Sequence, residues 1–205
     1  MKVYLARPFV GEEELNAIRK VIESKYLTEG PVTKEFEKRF AEYCEAKHAI
    51  ATTSCSTALE LCLRTIGIGR GDEVLVPDFT YPVTASVVYL VGATPVLVDV
   101  DPYSYNVTAE IIEEAITEKT KAIIPVSLFG NPLDDDVYKL ADKYDIWIIE
   151  DAACSVGAML NGKKIGTQAH MTCFSFHPRK IITTGEGGMI TTNYEELARQ
   201  ASSLK

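Results

Sequence analysis

Lys180 is the first of several side chains whose chemistry depends on where the predicted strands end. It follows the apolar run Met171–Phe176 and precedes the glycine-rich segment Thr183–Gly188. A desolvated lysine can form a Schiff base with an aldehyde, whereas a lysine considered alone is nearly always a solvated surface charge. A catalytic role for Lys180 therefore depends on which residues the fold places next to it.

A second group is the acidic pair Glu150 and Asp151, at the end of the apolar run Ile146–Glu150. Carboxylates at the end of a buried strand are costly unless they find partners. Asp151 fits a carboxylate that faces a cationic ring nitrogen. A helix cap is an equally good interpretation of the same residue.

Two further strand ends carry residues suited to binding. The segment Thr52–Leu59 places small hydroxyl side chains between a strand and a helix, where free backbone N–H groups favour a phosphate. Plain N-capping explains the same residues. Phe79 and Tyr81 follow the strand Glu73–Pro77, and either ring could stack on a flat cofactor or belong to the core.

Taken together, these features are the parts of a site for pyridoxal 5′-phosphate (PLP). Such a site needs a phosphate seat, a stacking ring, a carboxylate and a lysine. All four features fall at strand ends, and ligands of open α/β sheets bind outside the carboxyl ends of the strands.

The elements that must position these residues alternate along the chain. Apolar runs without polar interruption are typical of strands buried on both faces. The sequence therefore predicts an α/β fold with three layers: a mostly parallel, seven-stranded sheet with helices on both faces. The predicted strands are His48–Thr52, Glu73–Pro77, Pro95–Val100, Ala122–Ser127, Ile146–Glu150, Met171–Phe176 and Met189–Thr192. The predicted helices between them are Thr57–Ile66, Val83–Val91, Ala109–Ile116 and Asp135–Tyr144.

Two other regions depart from this alternation. In residues 1–46, apolar positions such as Leu15, Ile18, Ile22 and Tyr26 recur at helical spacing, which predicts an N-terminal helical segment ahead of a domain over residues 47–205. Phe36, Phe40 and Tyr43 mark its second helix. Near the other end, Asn161-Gly162 is a hairpin signal, so one antiparallel strand is expected there.

Composition narrows the function classes. The chain has 205 residues, 46% hydrophobic and 24% charged, with a formal net charge of −8 and no stripe of basic residues, which argues against nucleic acid as a partner. No apolar run is long enough to span a membrane, and the N-terminus lacks a secretory leader pattern. Five cysteines without a CxxC pair indicate reduced thiols in a cytoplasmic protein, without a metal site.

The chain resembles the DegT/DnrJ/StrS family of sugar aminotransferases, within the fold-type I PLP enzymes. The most specific block is Ser175–Lys180 together with Thr184–Gly188. The supporting segments are Leu27–Thr33 with Phe36-Glu37, Ser54–Ser56, Pro77–Tyr81, Phe129–Pro132 and Glu150–Ala153. The resemblance runs over nearly the whole chain.

The resemblance implies a role for each matching residue. Lys180 would carry the cofactor as a Schiff base and later move protons. Asp151 would pair with the pyridine nitrogen, and Tyr81 would stack on the ring. The phosphate would be held by Cys55 and Ser56, with Ser175 adding a hydroxyl.

The resemblance also implies a reaction and its partners. An amino acid, usually glutamate, would aminate the cofactor, which would then aminate a nucleotide-linked keto sugar, as in polysaccharide biosynthesis. The family works as homodimers that complete each other's sites. Relatives that act as dehydratases lack the lysine, so Lys180 favours the aminotransferase branch.

Three departures from the family pattern stand out. Cys154 occupies the position, near the phenolic oxygen of the cofactor, where the family most often has Gln or His. Ser54-Cys55-Ser56 replaces the usual Ser-Gly-Thr but keeps the backbone donors and a hydroxyl. The family continues with a smaller C-terminal domain, which is expected to be absent here because seven strands complete the large-domain sheet.

Two other functions fit parts of the sequence. A truncated remnant or regulatory module could bind PLP without turnover, an idea motivated by the expected absence of the small domain. A Rossmann-type nucleotide enzyme would share the sheet pattern, but its G-x-G-x-x-G fingerprint does not follow the first strand.

Overall fold

A seven-stranded sheet forms the centre of the chain in a computed structural model that describes residues 2–4 and 6–205. Its strands are β1 (His48–Thr52), β2 (Glu73–Pro77), β3 (Thr94–Val98), β4 (Thr120–Ile123), β5 (Trp147–Asp151), β8 (Met171–Ser175) and β9 (Gly188–Thr192). A separate two-stranded sheet consists of β6 (Met159–Leu160) and β7 (Lys163–Lys164).

The strand order across the main sheet is β1-β9-β8-β5-β4-β2-β3. Strand β9 runs antiparallel to both of its neighbours, and the other ladders are parallel. Six strands therefore point the same way, and their carboxyl ends share one edge with the start of β9. The predicted α/β class and mostly parallel sheet are confirmed.

The described part of the chain contains seven α-helices. They are α1 (Glu12–Ser24), α2 (Pro31–Cys44), α3 (Cys55–Thr65), α4 (Val83–Leu90), α5 (Ala109–Ala115), α6 (Asp135–Tyr144) and α7 (Glu195–Leu204). Capping residues explain several of their starts: Pro31 opens α2, and the Thr108 hydroxyl caps α5.

Alternation along the strands divides the core between the two faces of the sheet. Val76 and Ile149 point to the face covered by α3, α4 and α7. Leu75 and Ile148 point to the opposite face, where α5 and α6 lie. Helix α2 covers the same side further along, with the Phe40 ring centroid 5.1 Å from that of Phe174. Adjacent residues of one strand thus serve different layers.

The strand predictions need two corrections. The fourth strand was predicted as Ala122–Ser127, but its ladder covers Thr120–Ile123, because Pro125 has no N–H to donate and Val126 makes only an isolated bridge with Asp151. The hairpin signal Asn161-Gly162 was correct for its own turn, but it forms the separate β6–β7 pair. The antiparallel strand of the main sheet is β9.

The N-terminal helix has an uncovered apolar face. Leu15, Ile18 and Ile22 lie on α1 as predicted, yet each is about half exposed, and α1 has no buried residue. Tyr26 lies beyond the end of the helix rather than on it. Periodicity predicted the helix correctly, whereas its packing depends on contacts that the described residues do not supply.

Candidate active site

Six of the seven side chains predicted to bind the cofactor line one cavity at the carboxyl edge of the sheet. They are Cys55, Ser56, Tyr81, Asp151, Ser175 and Lys180, around a volume of about 460 Å³. The seventh, Cys154, is not part of the lining but contacts Lys180. Residues from four separate strand-to-helix or strand-to-loop junctions therefore meet in one place.

Asp151 lies at the end of β5, on the face covered by α3 and α4, with only 4% of its surface exposed. Its carboxylate accepts the backbone N–H of Ala153 at 3.1 Å, the hydroxyl of Thr84 at 3.2 Å and the thiol of Cys55 at 3.8 Å. Burial raises the pKa of Asp151, and these donors together with the charge of Lys180 act in the opposite direction. A cation placed against this carboxylate would therefore be strongly favoured.

The start of α3 combines helix capping with free donors. The Ser54 hydroxyl accepts the backbone N–H of Thr57 at 3.1 Å, so the capping interpretation holds for Ser54. The N–H groups of Cys55 and Ser56 come earlier in the first turn, where a helix has no partners of its own to offer. Both residues line the cavity, and free donors at a helix start are suited to bind an anion.

The start of α3 lies in close backbone contact with the first residue of β9, Gly188. A Cβ atom on Gly188 would lie 2.5 Å from the carbonyl carbon and oxygen of Ser54. Only glycine leaves room for that approach. The glycine-rich loop is therefore needed for the shape of the site as well as for turning the chain.

Lys180 enters the cavity from the loop between β8 and β9, where its N–H donates to the carbonyl of His177 at 2.8 Å. Its amine lies 3.2 Å from the Cys154 sulfur. Both side chains are partly buried. The amine thus belongs to a partly buried side chain that lines the cavity.

Two other predicted residues complete the lining. Tyr81 is 74% exposed, which excludes the core interpretation and leaves its ring available at the cavity mouth. Ser175 is buried at the end of β8, where its hydroxyl accepts the N–H of His177 at 3.4 Å. Both positions suit the roles that the resemblance implies.

Sequence reasoning missed the partners that hold the acidic pair. Thr84, fully buried in α4, looks like an ordinary helix residue, and only its spacing of three from Tyr81 hints at a shared site. Glu150 points to the opposite face, where it accepts hydrogen bonds from the Ser127 hydroxyl and, at 3.1 Å, from Tyr138. The expectation that these carboxylates need partners holds, but the identity of the partners could not be predicted from the sequence.

A larger cleft of about 830 Å³ lies beside this cavity, with Glu186 in both linings. Its walls come from α2, α3 and the segment around Thr28. It contains neither the buried carboxylate nor the lysine amine, so size alone does not locate the chemistry. It has room for a substrate next to the smaller cavity.

Residues 2–4 and 6–205 contain neither a metal-binding cluster nor a membrane-spanning helix. No group of three or more His, Cys, Asp or Glu side chains is arranged to hold a metal ion. No helix there combines the length and apolar character needed to cross a membrane.

Comparison with known proteins gives consistent results. GDP-perosamine synthase from Caulobacter vibrioides is 45% identical over 206 residues, covering 100% of this chain and 56% of that protein. The aminotransferase structure from Psychrobacter cryohalolentis is 40% identical with a TM-score of 0.93, covering 96% of this chain and 51% of its own. A Streptococcus pneumoniae protein described as a sugar aminotransferase, in its PLP-form, is 35% identical with a TM-score of 0.95. The match covers 100% of this chain and 58% of that chain.

This chain spans about half the length of the relatives that it matches. The family match itself runs over residues 8–205, almost the whole chain. On that match, and on the similarity to these relatives, the chain belongs to the DegT/DnrJ/EryC1/StrS aminotransferase family.

Proposed function

We propose that residues 47–205 form the PLP-binding large domain of an aminotransferase, with residues 1–46 as its N-terminal helical segment. The observation that carries the proposal is the meeting of a buried Asp151, the start of α3 and the Lys180 amine in one cavity. Support also comes from the S. pneumoniae relative in its PLP-form. In this proposal the whole protein transfers an amino group from an amino acid, glutamate, to a nucleotide-linked keto sugar.

The residues present fit the cofactor. The N–H groups of Cys55 and Ser56 would hold its phosphate, with the buried Ser175 hydroxyl nearby. Asp151 would face the ring nitrogen and keep it protonated, which offsets the cost of burying the carboxylate. Tyr81 at the mouth would cover the ring.

Bound PLP supplies an electron sink for chemistry at the carbon that bears an amino group. Lys180 would attach the cofactor and then, once released, move a proton on the side of the site where its amine lies. Partial burial of Lys180 limits the water around its side chain. These tasks use only groups that line the cavity or contact it.

The keto-sugar substrate is supported by the relatives rather than by contacts in this chain. GDP-perosamine synthase acts in the chemistry of a nucleotide-linked amino sugar, as its name states. The larger cleft offers space beside the cavity that Lys180 lines, and Glu186 belongs to both. We further propose a homodimer in the cytoplasm, in keeping with five free cysteines and with exposed apolar side chains such as Leu97 on the edge strand β3.

The first test is an absorbance spectrum of the chain with added PLP, followed by borohydride reduction and peptide mapping. We expect a visible band, and a label fixed on Lys180. Lys180→Ala should lose the fixed label, whereas Lys119→Ala, which removes an exposed lysine, should keep it. A label distributed over surface lysines in both variants would refute the proposed attachment.

A second measurement separates an enzyme from a module that only binds PLP. Glutamate added to the loaded chain should replace the visible band with that of the amine form of the cofactor. An unchanged spectrum in the presence of a firmly bound cofactor would favour the binding module.

A further inference from the structure

The contact between Cys154 and Lys180 places a thiol beside the amine on which the proposed function depends. The Lys180 nitrogen and the Cys154 sulfur are 3.2 Å apart. The turn that carries Cys154 is anchored by Ser155, whose N–H donates to the Ala152 carbonyl at 2.9 Å and whose hydroxyl donates to the Ser127 carbonyl at 2.9 Å. The thiol is therefore presented to the amine by a well-anchored turn.

The other four cysteines are in a different environment. Cys44, Cys55, Cys62 and Cys173 are buried, whereas Cys154 is partly exposed. Burial raises the pKa of the Cys44 thiol to about 12, and it raises the pKa values of Cys55 and Cys173 as well. Oxidation favours thiols that solvent reaches and that have a cation nearby, while buried structural thiols stay inert. Of the five, Cys154 meets both conditions.

We propose that Cys154 is a redox modification site, which on oxidation by a hydroperoxide forms a reversible sulfur–nitrogen cross-link with Lys180. The turn geometry and the short distance carry this inference. A lysine side chain has enough rotational freedom to close the remaining gap without moving the backbone.

The chemistry balances in two steps. In the first, the hydroperoxide O–O bond breaks and an S–O bond forms, so the thiol becomes a sulfenic acid and water or an alcohol leaves. In the second, the neutral Lys180 amine attacks the sulfur, the S–N bond forms, and the S–O bond breaks with loss of water. The thiol is oxidised by two electrons, and the protein loses two hydrogen atoms. A dithiol reverses the change, restoring thiol and amine while it becomes a disulfide.

The consequence for function rests on the proposed function. A cross-linked Lys180 could no longer attach PLP, so the oxidised protein would be unable to load its cofactor. Conversely, cofactor held on Lys180 would withhold the amine from Cys154. Oxidation and cofactor loading would exclude each other, because both use the side-chain nitrogen of Lys180.

The test treats the chain, without PLP, with hydrogen peroxide and then analyses it by intact and peptide mass spectrometry. We expect a peptide pair joining Cys154 to Lys180 with loss of two hydrogens, and its disappearance after dithiothreitol. Cys44 should remain a free thiol in the same sample and serves as the internal control. Cys154 that stays reduced, or that oxidises without the cross-link, would overturn the proposal.

Two variants identify which sulfur and which nitrogen form the cross-link. Cys154→Ser removes the sulfur and should abolish the cross-link. Lys180→Arg keeps a cation but offers no amine, so Cys154 should accumulate as sulfenic acid that dimedone traps. A cross-link that persists in either variant would mean that other residues form it.

A PLP-protected sample distinguishes this inference from the proposed function. Cofactor added before peroxide should suppress the cross-link. If the cross-link forms and PLP gives no protection, the proposed attachment fails and the redox site stands. If borohydride fixes PLP on Lys180 but peroxide gives no cross-link, the redox site fails and the attachment stands.

Discussion

Asp151 illustrates how single hydrogen-bond donors set the properties of the site. Its carboxylate is almost fully buried, and three donors from three different segments reach it. The donors stabilise the charged form that a cationic ring nitrogen requires, while burial acts against it. Thr84 donates through its side chain, so a substitution that keeps its shape removes this donor, together with the contact of the same hydroxyl to the Tyr81 carbonyl at 3.2 Å.

Thr84→Val should weaken PLP binding. Loss of one hydrogen bond to a charged group costs about 1.5–3 kcal/mol, which corresponds to roughly tenfold or more in the dissociation constant. Titration of PLP by absorbance measures the effect. Thr65→Val is the matched control, because its buried hydroxyl bonds to Leu61 within α3. Equal losses of affinity in both variants would point to general damage to the fold.

Glu150 precedes Asp151 on the strand, and burial is likewise the largest influence on its pKa. Burial raises the pKa of Glu150 to about 7, although hydrogen bonds from Ser127 and Tyr138 act to lower it. The folded state therefore binds the proton more tightly than the unfolded state does. This contribution to stability is fully present below pH 4.5 and is lost as the pH rises through about 7.

Glu150→Gln should remove that pH dependence. The variant carries a neutral side chain of the same shape, so its stability relative to the native chain should rise between pH 5 and pH 8, by at most about 3 kcal/mol. Denaturant unfolding of both proteins at the two pH values measures the difference. Parallel pH profiles would show that Glu150 does not carry the proton.

At the level of elements, the contact between β9 and α3 determines the shape of the phosphate seat. Gly188 opens β9 directly against the backbone of Ser54. Any side chain there must push the strand and the helix start apart. The seat and the lysine loop would move together, because that loop ends where β9 begins.

Gly188→Ala should therefore reduce both stability and PLP affinity. Overpacking of this kind costs about 1–3 kcal/mol, and the displaced N–H groups no longer converge on the phosphate. Gly69→Ala is the control, since the nearest atom to its added Cβ is a carbonyl oxygen at 3.9 Å. Thermal unfolding and PLP titration of both variants test this prediction. A Gly188→Ala protein that binds PLP as tightly as the control, and is as stable, would contradict it.

The elements were also the level at which the sequence was most informative. Apolar runs predicted every strand of the main sheet, because a strand buried on both faces leaves an unbroken pattern. The end of β4 was wrong because hydrogen bonding around Pro125, rather than hydrophobicity, ends the ladder. Tyr138 and Ser127 could not be predicted as partners of Glu150, since contacts between separate elements leave no local signal.

On the scale of the whole molecule, the sheet separates two tasks. The face covered by α3 and α4 holds Asp151 and the phosphate seat, and the face covered by α6 holds the Glu150 cluster. The two carboxylates are neighbours in the chain, yet the pleat directs them to different layers. The first is available to a ligand, while the second fixes the loop that begins at Ser127.

The position of β9 has a consequence for when the site can exist during synthesis. Strand β1, which leads into the phosphate seat, pairs with β9, and His48 lies opposite Thr192. The ribosome must therefore synthesise the chain as far as β9 before β1, which leads into the phosphate seat, can pair with that strand. Contacts so distant in sequence form late. The cofactor thus cannot guide the early folding of the nascent chain, and it can only stabilise a sheet that has already closed.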